Sequence, residues 1–272
     1  MLLDPGAMST SRVVLVTGAS SGLGLSVADH LHQRGWTVIG TSRRATGGAG
    51  WRAAPMDVDD DTSVREGVAA VLAEHGHLDA VVAAAGWGLA GPAETTPIGD
   101  ARAQLETNFW GAVRVVQAAL PAMRAQGGGR LVLLSSIGGE IGIPFQSFYS
   151  ASKFALEGWA EALAYEVAPF GVHVSLVQPG NFRTGFTTAR RTVPVPEEYA
   201  AASTRAIEVM ERDEVNGADP AAVAALVAKL LDARRPRRRV SVGKADERMG
   251  LVAKRLLPHG WFERAARSSL GV

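Results

Sequence analysis

Tyr149 and Lys153 stand four positions apart in the run Tyr149-Ser150-Ala151-Ser152-Lys153. On a helix that spacing puts both side chains on one face. A solvated phenol has a pKa of roughly 10, too high for easy proton exchange at neutral pH. An ammonium group beside it, or the positive ring of an oxidised nicotinamide, favours the phenolate and lowers that value. Each unit of lowering requires about 1.4 kcal/mol of differential interaction. A phenol tuned in this way suits general acid–base work on a carbonyl. Taken alone, the pair reads better as a partly buried tyrosine beside a lysine whose stem snorkels to water. Two further residues change that balance. Ser136 closes a strand-like run, where the ligand crevices of open sheets lie, so its hydroxyl could hold a substrate oxygen beside Tyr149. Asn108 falls inside a long apolar helical pattern, a place for which asparagine has poor propensity; a capped kink or a core hydrogen bond would also account for it.

These residues need a scaffold, and the chain alternates strand-like and helix-like segments from Arg12 onward. Strands are expected over 13–17, 36–41, 51–58, 78–84, 130–135, 172–178 and 239–242. Helices are expected over 23–34, 63–74, 101–125, 148–168 and 220–231, with the long 101–125 helix kinked or restarted near Pro121. The run 13–17 is apolar throughout, as in a strand buried on both faces. Such β-α alternation predicts an α/β fold, a Rossmann-like doubly wound parallel sheet in a single domain. The least regular stretch is 181–217, which contains Pro194 and Pro196 and is expected to form a mobile substrate lid.

Between the first strand and the first helix the chain reads Thr17-Gly18-Ala19-Ser20-Ser21-Gly22-Leu23-Gly24. A glycine turn there lets the backbone approach a pyrophosphate, which the helix N-terminus favours electrostatically. The spacing is G-x3-G-x-G rather than the common G-x-G-x-x-G, and alone it also fits a mere tight turn. The second strand adds selectivity. NAD-binding folds carry an acidic residue about 20 positions beyond the first glycine, on the ribose 2′-hydroxyl. Residues 31–56 contain no Asp or Glu, and the strand ends Thr41-Ser42-Arg43-Arg44. Arginine attracts a 2′-phosphate where a carboxylate would repel it, so the expected cofactor is NADP(H).

In combination these motifs resemble the short-chain dehydrogenase/reductase family, over about Arg12 to Val242. The family's T-G-x3-G-x-G turn matches Thr17–Gly24, and its catalytic tetrad matches Asn108, Ser136, Tyr149 and Lys153. Its P-G-x3-T stretch matches Pro179-Gly180-Asn181-Phe182-Arg183-Thr184. The resemblance implies cofactor contacts from Gly18, Ser20, Ser21, Gly22, Leu23 and Gly24, and from Arg43. It further implies Asp57 and Val58 at the adenine, Ala85 and Gly86 after the fourth strand, and Asn108, Tyr149 and Lys153. The last contacts implied are Pro179, Gly180, Phe182 and Thr184. The implied mechanism has Tyr149 protonating a carbonyl oxygen that Ser136 holds, while Lys153 lowers the Tyr149 pKa and relays protons through water held by Asn108. One departure stands out. Where the family has N-N-A-G, this chain has Ala83-Ala84-Ala85-Gly86, so no amide side chain there can brace the sheet. Family habit also implies a homodimer or homotetramer built on the long helices carrying Asn108 and Tyr149.

The crevice loops offer Trp87, Leu89, Ile141, Ile143, Phe145, Phe182 and Phe186, which favour a bulky apolar ketone or alcohol of steroid, fatty or polyketide type. The alternative is that several of these pack the lid. The tail 244–272 mixes Leu256, Leu257, Trp261 and Phe262 with Lys254, Arg255, Arg264 and Arg267. It could be an interfacial helix, although such segments more often pack on their own domain or on a partner subunit.

Other classes are set aside by composition. The net charge of +1 gives no reason to expect nucleic-acid binding. With no cysteine there is no disulfide, thiolate nucleophile or cysteine zinc site, and the six histidines show no metal-like spacing. No stretch reaches about 18 uninterrupted apolar residues, so no membrane span is expected. The start lacks a signal peptide's basic and apolar regions; residues 1–11 read as a flexible lead, with Met8 as an alternative start. A cytoplasmic location fits these features. Two rival functions remain open. One is a catalytically silent NADP-binding regulator, against which the intact tetrad argues. The other is an epimerase or dehydratase, which would carry a different glycine spacing and a larger C-terminal domain than 181–272 provides.

Overall fold

The five residues of strand β1 (Val13–Thr17) are all buried, and their side chains alternate between two cores. Val13 and Leu15 face one core; Val14 and Val16 face the other. This is the period-two pattern of a strand covered on both faces, and it explains why the run is apolar without interruption. The computed structural model describes residues 11–272 apart from 47 and 49, so most of the expected N-terminal lead lies outside the described residues. Its last residue does not behave as a free end: the Ser11 hydroxyl donates to Gly35 O at 3.2 Å.

Around β1 runs a seven-stranded sheet in the order β3-β2-β1-β4-β6-β7-β9, every pair parallel. Its other members are β2 (Thr37–Ser42), β3 (Arg52–Pro55), β4 (Ala80–Ala83), β6 (Gly129–Leu134), β7 (Val172–Pro179) and β9 (Arg239–Val242). On one face lie α2 (Asp61–His75), α4 (Gly111–Ala125) and α5 (Ser147–Val167), which bury Val68, Val116, Met123 and Leu156. On the other lie α1 (Gly22–Gln33) and α8 (Ala221–Asp232), which bury Val27, Leu31 and Val227. Each fully buried leucine or isoleucine contributes about 1.5–3 kcal/mol. The chain leaves β1 toward β2 and β3, then crosses back to β4 on the other side. That reversal opens a crevice beyond the carboxyl ends of β1 and β4, the place where open α/β sheets bind ligands. The architecture is therefore the expected Rossmann-like single domain.

Three local expectations differ from what is observed. The helix expected over 101–125 is interrupted at Asn108 rather than at Pro121. It comprises α3 (Ile98–Leu105), a π-helical turn at Glu106–Trp110, and α4, which continues unbroken through Pro121. The π turn coincides with long-range hydrogen bonds of the Asn108 amide, which a proline-based reading cannot sense. The third strand is shorter than expected, ending at Pro55. Residues 181–217 are mostly regular, with α6 (Phe186–Ala189), β8 (Arg191–Thr192), paired to β5 (Leu89–Ala90), and the 19-residue α7 (Glu197–Val215). Pro196 caps the start of α7, a position that suits its fixed φ and absent N–H. Beyond β9 the tail folds into α9 (Ala245–Leu256) and α10 (His259–Ser269).

Candidate active site

Tyr149 and Lys153 occupy the first turns of α5 and are both buried. The Lys153 ammonium donates to Leu134 O at 2.9 Å, tying α5 to the carboxyl end of β6. Its nitrogen lies 5.9 Å from the centre of the Tyr149 ring. Ser136 follows β6 and starts a short 3-10 turn, where its Oγ accepts from Gly138 N at 3.0 Å. A side chain at Gly138 would meet Ile143 Cδ1 at 2.9 Å, and Ser136 Oγ and Tyr149 Cε1 at 3.3 Å each. Glycine there lets the Ser136 loop close onto the tyrosine.

Asn108 joins the group through its backbone contacts. Its amide accepts from Trp87 N and donates to Trp87 O, both at 3.0 Å. The same Nδ2 lies 3.2 Å from Ser152 Oγ, which in turn donates to Tyr149 O at 2.6 Å. Of the two alternatives open for Asn108, a helix irregularity and a buried hydrogen bond, the structure has both at once.

Burial sets the electrostatics. It pushes the Lys153 ammonium down to about 8, against the opposing pull of the Glu157 carboxylate. It also raises the Tyr149 phenol above its ordinary value; Glu214 raises it further, while Ser136 and Arg190 pull it down. In the protein alone the net shift of the Tyr149 phenol is thus upward, opposite to the lowering expected for it. Desolvation disfavours the phenolate more strongly than the neighbouring groups favour it. A buried neutral phenol is a proton donor, and it becomes a better acceptor where a cation enters beside it.

The glycine turn occupies the crevice at the switch point. Gly18 has φ +66°, and a side chain there would approach Ala85 Cα to 2.8 Å. Gly22 has φ +56°, and beyond it the nearest atom a side chain would meet is Thr184 Cβ at 3.7 Å. At its glycines the turn thus presents bare backbone, with Thr184 facing Gly22 from the P-G-x3-T stretch. Ala84 N and Ala85 N both donate to Thr17 Oγ1, at 3.1 and 3.2 Å. A hydroxyl from β1 therefore braces the segment after β4, where the chain lacks the usual asparagines. Arg43 and Arg44 follow β2 at the exposed rim, and Asp57 and Val58 follow β3. The Val58 side chain lies against Gly111 of α4, and Val58 also borders the crevice.

The tetrad and the glycine turn border one cavity of about 870 Å³. It is lined by Gly18, Ser20, Ser21, Gly22, Leu23 and Gly24, by Arg43, Asp57 and Val58, and by Ala85, Gly86 and Asn108. Ser136, Tyr149, Lys153, Pro179, Gly180, Phe182 and Thr184 complete the expected set along its wall. The backbone cradle and the nearby arginines fit a dinucleotide: a glycine turn at a helix N-terminus for the pyrophosphate and cations at the end of β2 for a ribose phosphate. The apolar wall contains Trp87, Ile141, Ile143 and Phe186, the last 5.8 Å from the Tyr149 ring centre. Leu89 and Phe145, expected on that wall, do not line it. Leu89 is buried in β5, and Phe145 packs against Tyr199.

Several wall residues come from segments the sequence leaves without a defined partner, the expected lid and the tail. Met210 comes from α7, and Phe262 and Leu270 come from the tail. Glu247 of α9 also reaches the wall, accepting from Asn181 N at 3.0 Å and from Lys244 N at 2.9 Å. It sits on Gly180, where any side chain would collide with its carboxylate.

Comparison with known proteins agrees with this geometry. Residues 12–194 match the short chain dehydrogenase family. A 3-ketodihydrosphingosine reductase of Bacteroides thetaiotaomicron is 40% identical over 260 residues, 94% of this chain and 97% of that protein. The human 17-beta-hydroxysteroid dehydrogenase type 1 is 39% identical over 203 residues, 68% of this chain and 61% of that protein. The crystal structure of a short-chain dehydrogenase from Streptomyces avermitilis superposes with a TM-score of 0.82 at 35% identity, covering 95% of this chain and 98% of that one.

Proposed function

The chain belongs to the short-chain dehydrogenase family of oxidoreductases acting on CH-OH/C=O groups, and from that premise we propose that it is an NADP(H)-dependent reductase of a bulky apolar ketone. The observation that carries the reading is the placement of Ser136, Tyr149 and Lys153 together on the wall of a cavity that also presents Ile141, Ile143 and Phe186. Bound NADPH would supply the hydride. Ser136 donates a hydrogen bond to the substrate oxygen and fixes it beside Tyr149. The Tyr149 phenol, kept protonated by burial, gives that oxygen its proton as negative charge develops. Lys153 would hold the nicotinamide ribose of a bound cofactor, and it returns a proton to the tyrosine and is itself reprotonated from solvent. Asn108 keeps the Trp87 backbone in place and, through Ser152, supports the first turn of α5.

Support for NADP comes from Arg43 and Arg44 at the cavity rim and from the absence of any acidic residue between 31 and 56. A 2′-phosphate there would meet cations instead of a carboxylate. Support for the substrate class comes from Ile141, Ile143, Phe186, Met210, Phe262 and Leu270 on the wall. The relative named for reduction of 3-ketodihydrosphingosine and the one named for a hydroxysteroid point the same way. We place the protein in the cytoplasm as a homodimer or homotetramer. The contact is assigned to α4 and α5 and the turn between α3 and α4, where Trp110, Phe154 and Tyr165 are exposed. The test follows NADPH absorbance with a panel of long-chain and steroidal ketones. Consumption with these, and not with short polar ketones, supports the reading. Tight NADPH binding with no consumption across the panel would replace it with that of a silent binder.

A further inference from the structure

Helices α9 and α10 have two different faces. Inward, Gly250, Ala253, Phe262 and Ala266 close one side of the cavity, and Leu251 is buried. Outward, apolar side chains stand in water. Leu256 is 78% and Trp261 69% exposed, and Met249, Val252 and Leu257 are exposed as well. Met249, Val252 and Leu256 recur at helical spacing, so they form one stripe along α9. Large apolar residues scattered singly over a surface need no explanation, but a stripe of them does.

Charge identifies the occupant. Residues 244–272 carry six Lys or Arg against three Asp or Glu. Arg248 on α9 and Arg264 on α10 are exposed and have no ion-pair partner among the described residues. Arg248 flanks the apolar stripe, and Arg264 lies one helical turn from Trp261. A two-fold contact between copies would set this face against itself, and with six cations to three acidic residues it would bring like net charge together. An anionic lipid surface instead accepts the apolar stripe at the acyl boundary, the tryptophan at headgroup level and the arginines against phosphates.

We propose that the outward faces of α9 and α10 form a docking surface for an anionic lipid bilayer. It is peripheral, since no helix is long and apolar enough to cross a membrane. The surface lies on the same helices that wall the cavity, so a docked molecule holds that wall against the source of an apolar substrate. This surface goes beyond the proposed reductase activity and does not depend on it.

The test is sedimentation of the full chain with sucrose-loaded vesicles, without substrate. Phosphatidylcholine vesicles are compared with vesicles of phosphatidylcholine and phosphatidylglycerol, at low and high salt. Binding is expected to the anionic vesicles, weakened by salt as screening shortens the reach of the arginines. Leu256→Glu with Trp261→Ser is expected to reduce that binding by about tenfold or more, from lost apolar insertion and added negative charge. Arg248→Glu with Arg264→Glu is expected to abolish the preference for anionic lipid. In both variants NADPH oxidation with a soluble ketone stays at the wild-type rate, because none of the four side chains lines the cavity. Equal binding to both vesicle types, or none to either, would overturn the proposal. So would sedimentation velocity showing wild-type self-association that the Leu256/Trp261 variant loses, which would assign the face to a second copy. Vesicle binding without any ketone reduction would leave the surface standing and overturn the reductase reading alone.

Discussion

The Thr17 hydroxyl accepts the amide of Ala84 at 3.1 Å, and through the adjacent amide of Ala85 it joins the carboxyl ends of β1 and β4 across the cofactor crevice. This single oxygen holds the position of the cradle's floor where the chain has small residues in place of the family's asparagines. Thr17→Val keeps the shape and removes the acceptor, leaving two partly buried N–H groups without it. The expected cost is about 1–3 kcal/mol for each group left unsatisfied, a fall in Tm of about 2–4 °C per kcal/mol in a domain of this size. The KM for NADPH should rise as the segment after β4 loosens. Calorimetry together with cofactor titration checks both; an unchanged Tm and KM would show that the brace is not needed.

Arg43 should select the phosphorylated cofactor. A charged hydrogen bond of this kind contributes about 1.5–3 kcal/mol. Arg43→Ala is therefore expected to lower kcat/KM for NADPH by about ten- to a hundredfold, with little change for NADH. Steady-state kinetics with the two cofactors measures it. Equal losses for both would place Arg43 outside the 2′-phosphate contact.

The Lys153 ammonium, brought down to about 8 by burial, should shape the pH dependence of catalysis. Ketone reduction needs the protonated lysine, so kcat/KM should fall as pH rises through about 8. Glu157 raises that value, so Glu157→Gln should move the falling limb to lower pH. The stability effect has the opposite direction. Lys153 ionises less readily in the fold than in the unfolded chain. Between the folded value of about 8 and the ordinary 10.5 the unfolded state holds more protons, so this group's contribution to stability grows with rising pH. A pH–rate profile with the limb unmoved in Glu157→Gln would contradict the assignment.

Much of the fold and of the site is legible in the sequence, because the signals are local. The apolar run of β1, the glycine turn and the helical spacing of Tyr149 and Lys153 each depend on neighbours in sequence. What escaped depends on distance. The π turn at Asn108 coincides with bonds to Trp87, 21 positions away, whereas Pro121 offers a strong local cue to a break that α4 does not make. Pro194 and Pro196 read as breakers, although Pro196 opens a helix. Glu247 meets the backbone of Asn181 from 66 positions away, and nothing in its own surroundings marks it. The spacing of Tyr149 and Lys153 reports the lysine and not the burial, so it does not carry the direction of the Tyr149 shift.

The central claim is that Tyr149 delivers the proton that accompanies hydride transfer. Its most direct test is Tyr149→Phe, with NADPH affinity and single-turnover ketone reduction measured on the same preparation. The variant should bind NADPH nearly as the wild type does, since only the hydroxyl is lost. Its turnover should fall by about 10²–10⁴-fold, the contribution of a positioned general acid. Turnover within a few-fold of wild type, at unchanged cofactor affinity, would contradict the account and move the proton donor elsewhere in the cavity.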